Sequence, residues 1–458
     1  MLFPWQPSPR PTGPVPTRPR RLPLAAPLLA AGLLLAASSV PAASLYQDGA
    51  GARSAAMGGT GTAAANDPLG TLFNNPAAMS EVDRLSAGFG LDAGFAHGSF
   101  YNRANRHSTM WSAGVLGEGA ITVPVGPVRF GLGFNPDIAA QTDWRYRDAP
   151  GGADGATTYG VRDNQSTILL LRSAIGASWQ VTPTLSLGGS LGALYNENHL
   201  QTPYVFQTQP TLRTVKTLLD LRTDGWGWNG QAALRWRPVS TVALSATYTS
   251  RACIESDGTA RGNARTQLAN LGLGAARPDF FYDAEVDNAF PQQVSAGVSW
   301  EATRRLTLSA QFDWINWSDA FDTLPVRLTR GNNADLNGLV GSSRLHDDIP
   351  LRWRDQYVGR VGVEQRLGDH WALRAGYAYG NNPVPAETLS PLTAAITEHT
   401  LTAGVGYRWS RLSLDAAYQW QLPATGRVRR SGLAAGEYSG SVTEVDVQRL
   451  SLTTSISF

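Results

Sequence analysis

The chain has 458 residues, 42% hydrophobic and 16% charged, with 48 glycines, one cysteine and 14 each of tryptophan, tyrosine and phenylalanine. About a quarter of a soluble domain is charged, so the chain is charge-poor; its aromatics and glycines argue against disorder, and Cys253 alone excludes a disulfide framework or a multi-cysteine zinc site. Formal net charge is +2, but Arg10, Arg18, Arg20 and Arg21 precede residue 44 with no acid among them, which leaves +2 − 4 = −2 and no basic block for nucleic acid.

Arg18, Arg20 and Arg21 lead into residues 22–37, a charge-free run of leucine, alanine and glycine, and then into Ser38-Ser39-Val40-Pro41-Ala42-Ala43-Ser44. That order of basic region, apolar core and small-residue cleavage site predicts a signal peptide over 1–43, cut between Ala42 and Leu45. The apolar core is broken by Pro23 and Pro27 and is short for a spanning helix, the alternative being a membrane anchor. No later stretch approaches the roughly 18 apolar residues of a spanning helix, so a mature chain that meets a membrane meets it as strands.

Residues 44–83 are rich in glycine and alanine and lack strand periodicity. From about Leu85 onward the pattern has period two. Leu306, Leu308, Ala310, Phe312 and Trp314 oppose Thr307, Gln311 and Asp313; Leu412, Leu414, Ala416, Tyr418 and Trp420 oppose Ser413, Asp415 and Gln419. Such alternation over nine or more residues marks half-buried strands long enough for a tilted bilayer crossing. About fourteen are predicted, near 84–94, 112–124, 128–139, 165–180, 185–196, 226–237, 241–251, 293–301, 305–316, 355–366, 370–380, 398–409, 411–421 and 445–458.

Aromatic placement separates a membrane barrel from a soluble sandwich. Trp179, Trp236, Trp300, Trp314, Tyr407, Trp409 and Trp420 lie on the apolar register near strand ends, where interfacial girdles belong. Charges share the opposite register, which a polar lumen holds and a dry sandwich does not. The prediction is therefore all-β: a transmembrane antiparallel barrel over 84–458, with residues 44–83 as a plug inside it. A flexible periplasmic tail is the alternative for that segment. Short turns alternate with long connections at about 196–225, 252–292, 317–355, 380–397 and 421–444, which places the long ones outside the cell.

Residues 45–83 resemble the N-terminal hatch of the FadL/TodX (OmpP1) family of outer-membrane transporters of long-chain fatty acids and hydrocarbons. The resemblance rests on Leu45-Tyr46-Gln47, Gly58-Gly59-Thr60-Gly61, Asn66-Asp67 and Asn75-Pro76-Ala77, in that order. The motif Arg374-Ala375-Gly376-Tyr377-Ala378-Tyr379 with Asn381-Asn382-Pro383 is similar to a second family signature, and Phe458 ends an alternating strand as an assembly-machinery signal does. What the resemblance implies is a monomeric fourteen-stranded barrel in outer-membrane lipid and lipopolysaccharide, plugged by a hatch. It implies ligand-gated passive uptake of hydrophobic molecules with lateral release, no cofactor, and gating by Gly58, Gly59, Asn75, Pro76 and Ala77.

Candidate ligand contacts lie in the long connections. Leu212, Val215, Leu218 and Leu219 recur at helical spacing, as do Leu268 and Leu271, with Phe280 and Phe281 following. Amphipathic elements there would offer an apolar groove, or would simply cap the barrel. A fatty-acid carboxylate needs a cation, for which inward Arg172, Arg235, Arg360, Arg374 and Arg449 are candidates, set against structural pairing with acids such as Asp313, Glu364 and Asp415. Gly188-Gly189-Ser190-Leu191-Gly192 fits a serine-hydrolase pattern but falls mid-strand, where no nucleophile elbow forms. The six histidines are scattered, so neither a metal site nor an enzyme is expected. Uptake of fatty acids or other hydrophobic compounds is the leading reading; aromatic or aliphatic hydrocarbon uptake and a general porin are the alternatives.

Overall fold

The computed structural model describes residues 46–458; the signal and cleavage site read over 1–43 lie outside the described residues. The alternating sequence forms eighteen strands of one sheet. In chain order these are β1 (Ser86–Asn102), β2 (Asn105–Val125), β3 (Val128–Arg147), β4 (Val161–Thr182), β5 (Leu185–Val205), β6 (Lys216–Val239), β7 (Val242–Thr249), β8 (Ala252–Asn263) and β9 (Asp279–Phe290). Then come β10 (Gln293–Glu301), β11 (Leu306–Ile315), β12 (Thr323–Thr329), β13 (Leu345–Pro350), β14 (Gln356–Leu367), β15 (Trp371–Gly380), β16 (His399–Trp409), β17 (Leu412–Val428) and β18 (Ser441–Ser457).

Fourteen of them close an antiparallel barrel. Pairing runs from β1 to β7, passes to β10, β11 and β14, continues to β18, and returns to β1 over Ser86↔Ser457 to Tyr101↔Val442. Closure gives every wall strand a partner on both sides, the condition for a sheet to sit in hydrocarbon. Side chains obey the two-sided pattern. Trp179, Trp300, Trp371 and Trp409 are exposed on the outer face, whereas Arg172, Asp313, Glu364 and Arg374 are buried in the lumen.

The remaining strands, β8, β9, β12 and β13, lie in connections where loops were expected. They form because β6 has 24 residues and outgrows the wall: its inner half pairs with β7, and Leu218–Gly225 pair with Asn263–Ser256 of β8. β9 then pairs with β8 and β12, and β13 with β12, as an upright extension of the barrel. The helical reading of residues 196–225 is corrected by the same geometry. Leu218 and Leu219 are consecutive strand residues on opposite faces, and Leu212 and Val215 belong to a turn. In the next connection a short helix, Arg265–Asn270, does carry Leu268, with Leu271 just beyond it; Phe280 and Phe281 lie on β9.

Residues 46–82 fold inside the lumen as short helical turns, Ala52–Ala56, Gly61–Ala64, Gly70–Asn74 and Pro76–Glu81. Small residues are needed there because backbone meets wall. A Cβ on Gly376 of β15 would lie 2.2 Å from the Gly58 nitrogen and 2.3 Å from the Met57 carbonyl carbon. Gly376→Val should therefore unseat residues 57–59, at an overpacking cost of about 1–3 kcal/mol. Planar-bilayer recordings should then show higher conductance than wild type. Unchanged conductance and thermal stability would contradict this seating.

Candidate functional site

Above the wall, the sheet extension encloses an apolar groove of about 230 Å³. Its lining includes the expected Leu212, Val215, Leu219, Leu268, Leu271 and Phe280, but neither Leu218 nor Phe281. Phe281 instead carries the Arg261 guanidinium 5.5 Å from its ring centroid. Sequence reasoning missed Val326, Leu328 and Leu345 on β12 and β13, although Val326-Arg327-Leu328 alternates as a strand should. An engineered apolar cavity of about 150 Å³ accepts benzene, so the groove has room for a ring or a bent alkyl segment.

One groove wall is the turn at 206–215, and a single carboxylate holds it. Asp347, 4% exposed, accepts the backbone N–H of Gln207, Thr208 and Gln209 as well as hydroxyls of Tyr204 and Thr208. The groove floor is braced by a second cluster. Gln267 accepts the Lys216 N–H at 3.0 Å, while the buried Lys216 ammonium contacts Asp148, the Ala149 carbonyl at 2.9 Å and Glu437 at 3.6 Å.

Within the lumen, four of the five candidate arginines are engaged by acids. Arg235 donates to Glu81 at 2.8 Å and to the Ala63 carbonyl at 2.6 Å. Arg360 donates to Asp313 and Asp48, both at 2.6 Å, and to the Gly58 carbonyl at 3.2 Å. Arg374 donates to Glu364 at 2.8 Å and Asp415 at 2.6 Å, and Glu364 also accepts from Arg53 at 2.9 Å. Arg449 donates to Asp92 at 3.0 Å and to Gln47 at 2.6 Å. Arg172 differs. Only 3% exposed, it donates to Ser190 at 2.8 Å, leaves its Nε without a partner, and makes no ion pair among the described residues.

Arg172 faces a polar cavity of about 120 Å³ shared with Asn135, Asp137 and Asn229. Asn135 Oδ1 and Asn229 Oδ1 are likewise buried and unpartnered. The hatch motifs sit nearby. Gly58 and Gly59 take positive φ of 70° and 80°, which glycine alone adopts freely, and the Gly58 N–H donates to Thr402 at 2.9 Å. Asn75 accepts the Ala77 N–H at 2.9 Å and donates to the Thr62 carbonyl at 2.6 Å, with Pro76 opening the turn Pro76–Glu81.

Beside Arg172 the wall ladder is interrupted. β2 and β3 pair only from Val125↔Val128 to Gly119↔Phe134. Past Phe134, β3 stays with β4 but carries Asp137 as an extra residue between Pro136 and Ile138, and Asn135 lies opposite Arg172. Pro136 has no N–H to offer a neighbouring strand. Farther out the strands rejoin, where the Asn105 side chain donates to the Arg147 carbonyl and accepts its N–H, each at 2.8 Å. Tyr46 bridges to Ile138, and the Gln47 N–H donates to the Asp137 carbonyl at 3.1 Å, so the start of the hatch lies against the interruption.

A family model for outer membrane protein transport proteins (OMPP1/FadL/TodX) matches residues 33–458. The chain belongs to this family. Among solved structures, the Ralstonia pickettii toluene transporter TbuX is similar at 20% identity and TM-score 0.69, covering 90% of this chain and 99% of that one. A Pseudomonas aeruginosa FadL homologue aligns at 18% identity and TM-score 0.71, over 91% and 100% of the two chains. The Pseudomonas putida toluene transporter TodX aligns at 20% identity and TM-score 0.71, over 90% and 99%. At these identities the likeness speaks for the fold. No curated protein sequence matches the chain.

As a member of an outer-membrane transport family, the chain has its hydrolase-like motif in the barrel wall. Ser190 lies within β5 and hydrogen-bonds Arg172 and Gln231 rather than a histidine. Among the described residues one trio of carboxylates, Glu255, Glu285 and Asp287, comes close enough to share a cation, but Arg327 already pairs with two of them.

Glu437 gives the groove's brace a pH dependence. Burial pushes its carboxyl up to about 7, against the opposing pull of Lys216. A carboxyl raised in the fold stabilises it fully below the unfolded value of about 4.3 and progressively less as pH rises through 7. Hydrogen exchange at residues 431–440 should therefore be faster at pH 8 than at pH 5.5 after correction for intrinsic rates, and Glu437→Gln should remove the difference. Equal protection at both pH values in wild type would contradict the assignment.

Proposed function

We propose that this protein takes up long-chain fatty acids or related hydrophobic compounds across the outer membrane by passive, ligand-gated diffusion. The sheet extension and its groove stand on the extracellular side, and the short turns face the periplasm. An apolar chain lands first in the groove, where each methylene removed from water contributes about 0.8 kcal/mol. It then enters the lumen, and its carboxylate meets Arg172. Displacement of Tyr46 and Gln47 opens the interruption between β2 and β3, and the ligand leaves sideways into the bilayer. Exit into lipid suits an apolar solute, because exit through water would forfeit the stabilisation gained by burial.

Arg172 carries this reading. It shares its cavity with the carboxylate of Asp137 but forms no ion pair with it among the described residues, and it stands at the wall interruption with its Nε unused. A second reading, uptake of uncharged hydrocarbons, is favoured by the groove alone, whose charged lining is Asp347 without any lysine or arginine. A general porin needs an open lumen, which the packing of residues 46–82 does not favour.

Binding of oleate to the purified detergent-folded protein, with toluene as competitor, separates the readings. Arg172→Gln should weaken oleate by about 1.5–3 kcal/mol, roughly ten- to hundredfold, and leave toluene unaffected. Full displacement by toluene with no effect of Arg172→Gln would favour the hydrocarbon reading. Binding of neither ligand, with steady ion conductance, would leave a porin.

A further inference from the structure

Arg172 stands among hydrogen-bond acceptors, and that limits the end-group it can take. Its side chain leaves β4 and runs along β5, where Nη2 donates to Ser190 at 2.8 Å, and Ser190 in turn donates to Gln231 of β6 at 3.4 Å. On the way it passes Gly192, which faces Asn229 of β6 across the ladder. A Cβ on Gly192 would stand 2.6 Å from Arg172 Nε and 2.6 Å from Asn229 Oδ1, so the two atoms converge on the same bare stretch of backbone. Both atoms are buried and neither has a hydrogen-bond partner. On β3, Asn135 donates its amide N–H groups to the Pro136 carbonyl at 3.2 Å and to Asp137 at 3.1 Å, which leaves Asn135 Oδ1 unpartnered as well.

Among unpartnered atoms the polar cavity therefore offers Arg172 Nε as a donor and Asn135 Oδ1 and Asn229 Oδ1 as acceptors, with the Asp137 carboxylate alongside. An end-group that only accepts, such as a bare carboxylate, satisfies Nε and leaves the acceptors unmet, and a buried polar group left unpaired is costly. A hydroxyl does both: its oxygen accepts from Nε while its proton goes to Asn229 Oδ1. Toward the groove the surroundings turn apolar at once. Leu170 lies two residues along β4 and Leu194 is paired with Arg172 across the ladder, both within the apolar cluster of the lumen. We infer that the preferred substrate is a fatty acid hydroxylated at carbon 2 or 3. Its carboxylate and hydroxyl are held between Arg172 and Asn229, and its alkyl chain is directed past Leu170 and Leu194. This specificity rests on Arg172 receiving the end-group, as proposed above. A site built to hydrogen-bond a hydroxyl rejects the analogue that lacks one.

The test is displacement of tritiated palmitate from the purified, detergent-folded protein by unlabelled palmitate, 2-hydroxypalmitate, 3-hydroxypalmitate and 16-hydroxypalmitate. At least one of the 2- and 3-hydroxy acids should compete about tenfold better than palmitate. The 16-hydroxy acid, whose hydroxyl is at the far end of the chain, should gain nothing. Asn229→Leu should remove the preference and leave palmitate within about twofold of wild type, with heat-modifiable gel migration confirming that the variant is folded. Equal competition by palmitate and both hydroxy acids in wild type would overturn the specificity without any variant. An equal gain for 16-hydroxypalmitate, or an undiminished preference in folded Asn229→Leu, would overturn it too. Binding of none of the four acids would overturn the fatty-acid reading itself, which sets that failure apart from the others.

Discussion

Every charge placed inside this barrel must find a counter-charge, because a lone buried ion costs several kcal/mol. The interior solves this by sharing the problem between wall and hatch. Arg360 reaches from β14 to Asp48 and to the Gly58 carbonyl, Arg235 from β6 to Glu81 and the Ala63 carbonyl, and Arg53 from the hatch to Glu364. Removing the hatch would strand these groups, so the plug is held by the wall's electrostatics as much as by its shape. Against that background Arg172 differs from the other four candidate arginines in making no ion pair among the described residues, although Asp137 shares its cavity.

The wall follows an equally strict rule. In hydrocarbon each backbone donor and acceptor needs a partner, and the closed ladder supplies it except between β2 and β3. There the interruption is managed locally: Pro136 removes a donor, Tyr46 and Gln47 bridge to Ile138 and Asp137, and Asn105 closes the far end against Arg147. The start of residues 46–82 lies directly against this interruption, which is bounded on both sides, and the proposed gating would pass through that contact. Above the bilayer the constraint relaxes, and the sheet extends freely into the groove.

Much of this was legible in the sequence. The alternation survives because one face of each strand meets lipid and the other a polar lumen, and the aromatic belts mark both strand ends. The fourteen barrel strands accordingly lie where the pattern placed them, mostly lengthened outward. Beyond the membrane, β8 and β13 alternate too weakly to read, whereas β9, from Phe280 to Phe290, and Val326-Arg327-Leu328 on β12 carry an alternation that was passed over inside long polar connections. Helical spacing of Leu212, Val215 and Leu219 was coincidental, because three apolar residues in a short stretch fit either period. The arginine pairings were hidden for a different reason: Arg360 and Asp48 are 312 positions apart, and nothing local records such a partner. The Asn135-Pro136-Asp137 triplet did carry a local signal of the wall interruption, since proline inside a strand marks an edge or a bulge.

The lateral route is tested most directly by deleting Asp137, the extra residue that takes β3 out of step. With β3 in continuous register the wall should close. Ligand binding in the outer groove should persist in the purified protein, while uptake of radiolabelled oleate into cells carrying the deletion variant should fall to the level of cells lacking the protein. Uptake at the wild-type rate through a folded deletion variant would contradict the account.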